Sequence, residues 1–173
     1  MSSPADRGFE PALAKAARVR LVFSDVDGVL TDGGMYYGVD GEAFKRFNTR
    51  DGMGVELLGR ADIEVVLITG EETAIVAQRA VKLRIGEVHQ GIKDKRGTVE
   101  TVAAARGFGP EVLAFIGDDV NDLEAIRYCG LGATVADGAD AVKSIADYVC
   151  VRKGGEGAFR EFAELILKAQ GKL

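Results

Sequence analysis

Two aspartates, Asp25 and Asp27, stand one residue apart in the stretch FSDVDGVLTD, directly after an apolar run and directly before Gly28. Carboxylates this close repel one another unless donors or a cation hold them. Taken alone, the pair would serve equally as caps of a solvated turn, a common use of Asp. Three further stretches bear on it. Thr69 and Gly70 close the run IEVVLITG, Lys93 and Lys95 lie in QGIKDK, and Asp118 and Asp119 open GDDVND after VLAFI. Brought together, these supply four carboxylates, a hydroxyl and an ammonium. Oxygen-only ligands with open positions favour Mg²⁺. Such a set suits phosphoryl transfer: the cation and lysine neutralise phosphate oxygens, the threonine and nearby N–H groups orient them, and one carboxylate attacks phosphorus in line. Neither GxxxxGK[ST] nor GxGxxG occurs in the sequence, so a nucleotide is not held in those ways.

The elements that must position these residues alternate in type. The pattern predicts a loose start over residues 1–6, a short helix over Ala12–Ala17 and a first strand from Val19 to Ser24. Residues 33–48 read as a hairpin, with extended runs Met35–Gly38 and Glu42–Phe47 about Val39-Asp40-Gly41. NTRDG reads as loop, Met53–Leu58 as helix, Ile63–Thr69 as a buried strand and Glu72–Leu83 as helix. A weak strand at Glu87–His89 precedes a helix over Gly97–Arg106. Then follow a strand over Val112–Ile116, a helix over Asp122–Cys129, a strand in GATVA, a helix over Ala139–Ala146, a short strand at Tyr148–Val151 and a last helix over Phe159–Ala169. Strands and helices alternating at this spacing predict βαβ units: a doubly wound α/β fold, Rossmann-like, with a mostly parallel sheet. Residues 1–173 read as one domain, with the hairpin inserted after the first strand and residues 152–173 forming a tail and helix. In such a sheet, ligands bind beyond the carboxyl ends of the strands. Asp25, Asp27, Thr69, Asp118 and Asp119 all follow strands at that end.

Composition excludes several classes of function. The 173 residues carry 22 Lys and Arg against 27 Asp and Glu, a net charge of −5, which argues against a nucleic-acid surface. No apolar run is long enough for a bilayer and no basic-then-apolar leader opens the chain, so the expected compartment is the cytoplasm. Cys129 and Cys150 sit in apolar surroundings without paired spacing and read as core thiols, and with His89 the single histidine, zinc is not expected. Four aromatics, Tyr36, Tyr37, Phe44 and Phe47, crowd the hairpin. A lone ribbon is marginal in water, so this one is expected to pack against another chain.

DVDGVLTD, ITG, the Lys95 region and GDDVND resemble, in order, the four signatures of the haloacid dehalogenase superfamily of phosphohydrolases. The resemblance implies Asp25 as a nucleophile forming an aspartyl phosphate and Asp27 as general acid and base. It implies Mg²⁺ held by Asp25, the carbonyl of Asp27 and Asp118, with Asp119 close behind. Thr69 and Gly70 would bind phosphate, and Asn121 would help place the lysine. That lysine is Lys95 by the arrangement Q-G-x-x-x-K from Gln90 and Gly91, with Lys93 the alternative. A narrower resemblance adds the hairpin, FNTRDGMG and GGEGAFRE. It is to the capless phosphatases of 2-keto-3-deoxy sugar acid phosphates, which act on 3-deoxy-D-manno-octulosonate 8-phosphate or nine-carbon nonulosonate 9-phosphates and form tetramers through their hairpins. The eight-carbon enzymes carry Arg after ITG and in the tail as GGRG; here Glu71 and Glu156 stand in those places. Glu71 with Lys82 resembles the pair of the nine-carbon enzymes and leans the expectation to nine carbons, with Glu71 as a solvated helix start the alternative. Arg50 would bind a substrate carboxylate or form an exposed salt bridge. Receiver domains of signalling proteins combine similar residues, but in them the lysine comes last, whereas Lys95 precedes the second acidic cluster.

Overall fold

A computed structural model describes residues 6–173, so that most of the expected loose start lies outside the described residues. The first helix, α1 (Asp6–Ala16), begins earlier than expected and leads into β1 (Leu21–Ser24). After the acidic stretch come β2 (Tyr36–Gly38) and β3 (Gly41–Phe44), an antiparallel hairpin apart from the main sheet. The chain continues through α2 (Thr49–Arg60), β4 (Glu64–Ile68), α3 (Ala74–Leu83), β5 (Glu87–His89) and α4 (Lys95–Ala105). It ends with β6 (Leu113–Gly117), α5 (Leu123–Tyr128), β7 (Leu131–Thr134), α6 (Asp140–Lys143), β8 (Tyr148–Val149) and α7 (Ala158–Ala169).

Six strands form one parallel sheet in the order β5-β4-β1-β6-β7-β8. Counting only these strands along the chain, the order is the Rossmann 3-2-1-4-5-6, not the 2-1-3-4-5 of receiver domains, which removes the signalling alternative on topology. The order reverses between β1 and β6, where Ser24 stands level with Ile116. A crevice is expected at that point, beyond the strand ends.

Both faces of the sheet are covered, which is why its strands are continuous apolar runs. Along β1 the side chains alternate: Val22 faces a core made with α1, α2, α3 and α7, while Leu21 and Phe23 face one made with α4 and α5. The strongest amphipathic helix is α7, which buries Phe159, Phe162, Ala163 and Ile166 at helical spacing against the first core. Side chains of this size each stabilise by about 1.5–3 kcal/mol when fully buried. Among the described residues no helix is long and apolar enough to cross a membrane.

Two helices start before their expected positions, α2 by four residues and α4 by two, because polar residues read as loop act as caps. Asn48 accepts from the N–H of Arg50 and starts α2; Asp94 accepts from the N–H of Gly97 and starts α4, which places Lys95 in its first turn. The hairpin strands are shorter than expected. Phe47 is also no part of the ribbon's exposed set: it pairs with Thr31 at the ribbon's base and packs against the first core.

Candidate active site

At the β1/β6 crevice a cleft of about 240 Å³ is lined by Asp25, Asp27, Gly28, Thr69, Gly70, Glu71, Asp118, Asp119 and Asn121, among others. Asp25 leaves β1 with its carboxylate buried. Its Oδ1 accepts from the N–H of Val26 at 2.8 Å and pairs with Lys95 Nζ at 2.9 Å. Among the described residues no donor is directed at its other oxygen. Thr69 continues β4: its N–H donates to the carbonyl of His89, its hydroxyl accepts from the N–H of Glu71, and it too is buried.

Lys95 is the buried lysine, 2% exposed, while Lys93 is exposed, so the two basic candidates separate cleanly. The partner that holds Lys95 is a correction to the sequence reading. Asn121 is exposed on the rim, and it is Asp122, fully buried, whose Oδ1 takes Lys95 Nζ at 2.6 Å. The second oxygen of Asp122 accepts the N–H groups of Asp118 and Asp119 at 2.9 and 3.3 Å. One carboxylate thus fixes both the lysine and the acidic loop. Asp122 sits in the same GDDVND motif, and its place in the first helical turn after the loop was the available signal.

Gly28 has φ +82°, and a Cβ there would lie 2.0 Å from Asp118 Oδ2. Only glycine lets the loop after β1 turn while the carboxylate from β6 closes against it. Behind that loop the tail is pressed equally close: the N–H of Gly155 donates to the carbonyl of Val29, Asn48 donates to the carbonyl of Gly155, and Asp137 accepts from the N–H of Gly154. Asp27 points toward the hairpin. Its Oδ1 receives Lys45 Nζ at 2.7 Å, and its Oδ2 is covered and has no partner among the described residues. Lys45 was missed in the sequence: a lysine in an aromatic hairpin, eighteen positions from its partner, leaves no local signal.

The electrostatics of the cluster call for a cation. Burial pushes the Asp25 carboxyl well above the usual carboxylate range, the charge of Asp122 adds to this, and Lys95 opposes both. Asp118 is pushed up to about 6, first by burial and then by Asp122. Lys95 is held above its ordinary value: burial disfavours its charge, but Asp25 and Asp122 outweigh burial. Oxygens of Asp25, Asp118 and Asp122 lie within 4.8 Å of one another. Both oxygens of Asp122 are already engaged by donors, which leaves Asp25 and Asp118 as the carboxylates able to meet a hard divalent ion. The donor set fits Mg²⁺.

The substrate candidates divide. Glu71 is exposed and lines the cleft. Lys82 is exposed in the last turn of α3, at the end of the helix away from the cleft, and forms no ion pair with Glu71 among the described residues. Arg50 lines a neighbouring cleft of about 690 Å³ with Arg152 and Arg160, on the tail side, and is not part of the acidic cleft.

Residues 55–160 match the family of haloacid dehalogenase-like hydrolases. The 3-deoxy-D-manno-octulosonate 8-phosphate phosphatase of Haemophilus influenzae is 41% identical over 158 residues, which cover 91% of this chain and 88% of that one. The crystal structure of a probable YrbI family phosphatase from Pseudomonas syringae superposes with a TM-score of 0.93 at 43% identity, covering 95% of this chain and 93% of that one. The 3-deoxy-D-manno-octulosonate 8-phosphate phosphatase of Moraxella catarrhalis, solved with a magnesium ion, a phosphate ion and the sugar acid, superposes with a TM-score of 0.90 at 38% identity, with 92% of both chains covered.

Proposed function

The chain belongs to the haloacid dehalogenase-like hydrolases and is a phosphoric monoester hydrolase, and we propose that it hydrolyses 3-deoxy-D-manno-octulosonate 8-phosphate through an aspartyl phosphate. The observation that carries this reading is the meeting of Asp25, Lys95 and Asp118 at the β1/β6 crevice, with Lys95 2.9 Å from Asp25.

Asp25 attacks phosphorus with the oxygen that Val26 and Lys95 leave free, and the bond from phosphorus to the sugar oxygen breaks. Asp27 gives its proton to the departing alkoxide. Water then attacks phosphorus and surrenders a proton to Asp27; the bond from phosphorus to Asp25 breaks, releasing inorganic phosphate and restoring both carboxyls. Lys95 neutralises phosphate charge while Asp122 holds it in place. Thr69 and the N–H groups around Gly70 orient the phosphate oxygens. Asp25, Asp118 and the carbonyl of Asp27 would hold Mg²⁺, with Asp119 beside them. When bound, the ion supplies charge neutralisation and polarises the phosphoryl group.

Glu71 on the cleft wall favours the second reading, a nine-carbon 9-phosphate. The distance of Lys82 from the cleft weakens it, since the paired acid and base do not meet within one chain. Comparing kcat/KM of the purified protein with Mg²⁺ on both sugar acid phosphates tests the choice; the eight-carbon ester is expected to be the better substrate, and a preference for the nine-carbon ester reverses it. Asp25→Ala is expected to be inactive, and beryllofluoride to label Asp25 in the wild type. Labelling at another residue overturns the nucleophile.

A further inference from the structure

We infer that Lys45 of the hairpin is a positioning residue for Asp27, fixing the carboxylate that carries the proton. This rests on the proton-transfer role proposed for Asp27. The Lys45 side chain is wholly covered and donates to two acceptors only, Asp27 Oδ1 and Glu42 Oε1, each at 2.7 Å. A covered ammonium does not reach a substrate, and losing Asp27 would leave it Glu42 as its one counter-charge. Asp27 therefore cannot swing freely: one oxygen is held by Lys45, and the other is covered without a partner. Glu42 lies in β3 and Lys45 directly after it, so the hairpin strand itself sets the direction of the carboxylate. In the first half-reaction the held carboxyl passes its proton to the sugar alkoxide, and in the second it takes one from water. Loss of Lys45 should slow both transfers and leave the attack of Asp25 on a good leaving group intact.

Two esters separate these steps: the octulosonate 8-phosphate, whose alkoxide needs a proton, and p-nitrophenyl phosphate, whose phenolate leaves without one. With Mg²⁺, Lys45→Met is expected to lose about 10- to 100-fold in kcat on the sugar ester with KM changed by less than about threefold. Its single-turnover release of p-nitrophenolate should stay within about threefold of wild type while steady-state turnover falls, so that a burst appears, as it should for Asp27→Asn. Glu42→Gln, which loosens the lysine but keeps it, should show the same pattern more weakly and serves if Lys45→Met does not fold. An equal loss on both esters in the single-turnover step, or a rise in KM at constant kcat, overturns the positioning role and leaves the phosphatase reading standing. A wild type inert on both esters overturns that reading and this one with it.

Discussion

At Asp122 three donors converge on a carboxylate with no exposed surface: Lys95 Nζ and the N–H groups of Asp118 and Asp119. Removing it leaves a buried ammonium with Asp25 as its one remaining counter-charge and two N–H groups without an acceptor. Asp122→Ala should therefore cost about 3–5 kcal/mol of stability, read as a fall in denaturant midpoint, because breaking a buried pair strands the other charge. Asp122→Asn keeps the shape and an acceptor for the loop, so it should cost less stability while still lowering kcat through a misplaced Lys95. If Asp122→Asn keeps full turnover, the hub role fails. Asn121, one position away, is expected to tolerate Ala with stability changed by less than about 0.5 kcal/mol.

Between elements, the closest approach near the site is that of the tail to the loop after β1. A Cβ at Gly154 would lie 1.8 Å from the carbonyl oxygen of Gly28, backbone against backbone, with no side chain able to yield. Gly154→Ala should push the loop carrying Asp27 out of line, lowering kcat at least about tenfold and stability by about 1–3 kcal/mol. An unchanged kcat at a lowered midpoint would confine the tail to a structural role. Nearby, α7 begins at Gly157 without a side-chain cap of its own, and buried Asp51 of α2 accepts the N–H groups of Gly157 and Arg160 in its stead. Contacts of this kind mark the limit of what the sequence makes legible. β1, β4 and β6, and the site residues at their ends, follow from local apolar runs and the acids or hydroxyl just after them, and the expected bounds of β5, Glu87–His89, are the observed ones. The starts of α2 and α4 were misplaced because Asn48 and Asp94 look alike as loop residues and as caps. Asp51 and Lys45 act across the fold, and no local pattern distinguishes their carboxylate and ammonium from solvated ones.

For the molecule as a whole, two features are left for partners to complete. The first is the surplus of negative charge at the cleft. A cation that binds only the folded chain stabilises it by about 2.7 kcal/mol at a hundredfold excess over its Kd, which for a chain of this length raises the melting midpoint by about 5–10 °C. Mg²⁺ should produce such a shift, and Asp118→Asn should abolish it while raising the cation-free midpoint, because one of the repelling carboxyls is gone. The second is the hairpin, where Met35, Tyr36, Tyr37, Val39 and Phe44 stand exposed, Tyr37 and Phe44 at 67% and 71%. A two-stranded ribbon bearing such a patch is marginal in water and marks an interaction surface, and from the resemblance to hairpin-assembled tetramers we propose other copies of this chain as its partner. Light scattering of the wild type should give a tetramer, and Tyr37→Lys with Phe44→Glu a monomer. The same hairpin grips Asp27 through Lys45, so the monomeric variant should show the pattern expected of Lys45→Met: steady-state turnover falls while the single-turnover release of p-nitrophenolate is spared. A variant that is monomeric and fully active would separate assembly from catalysis, and a monomeric wild type would leave the hairpin aromatics to some other partner.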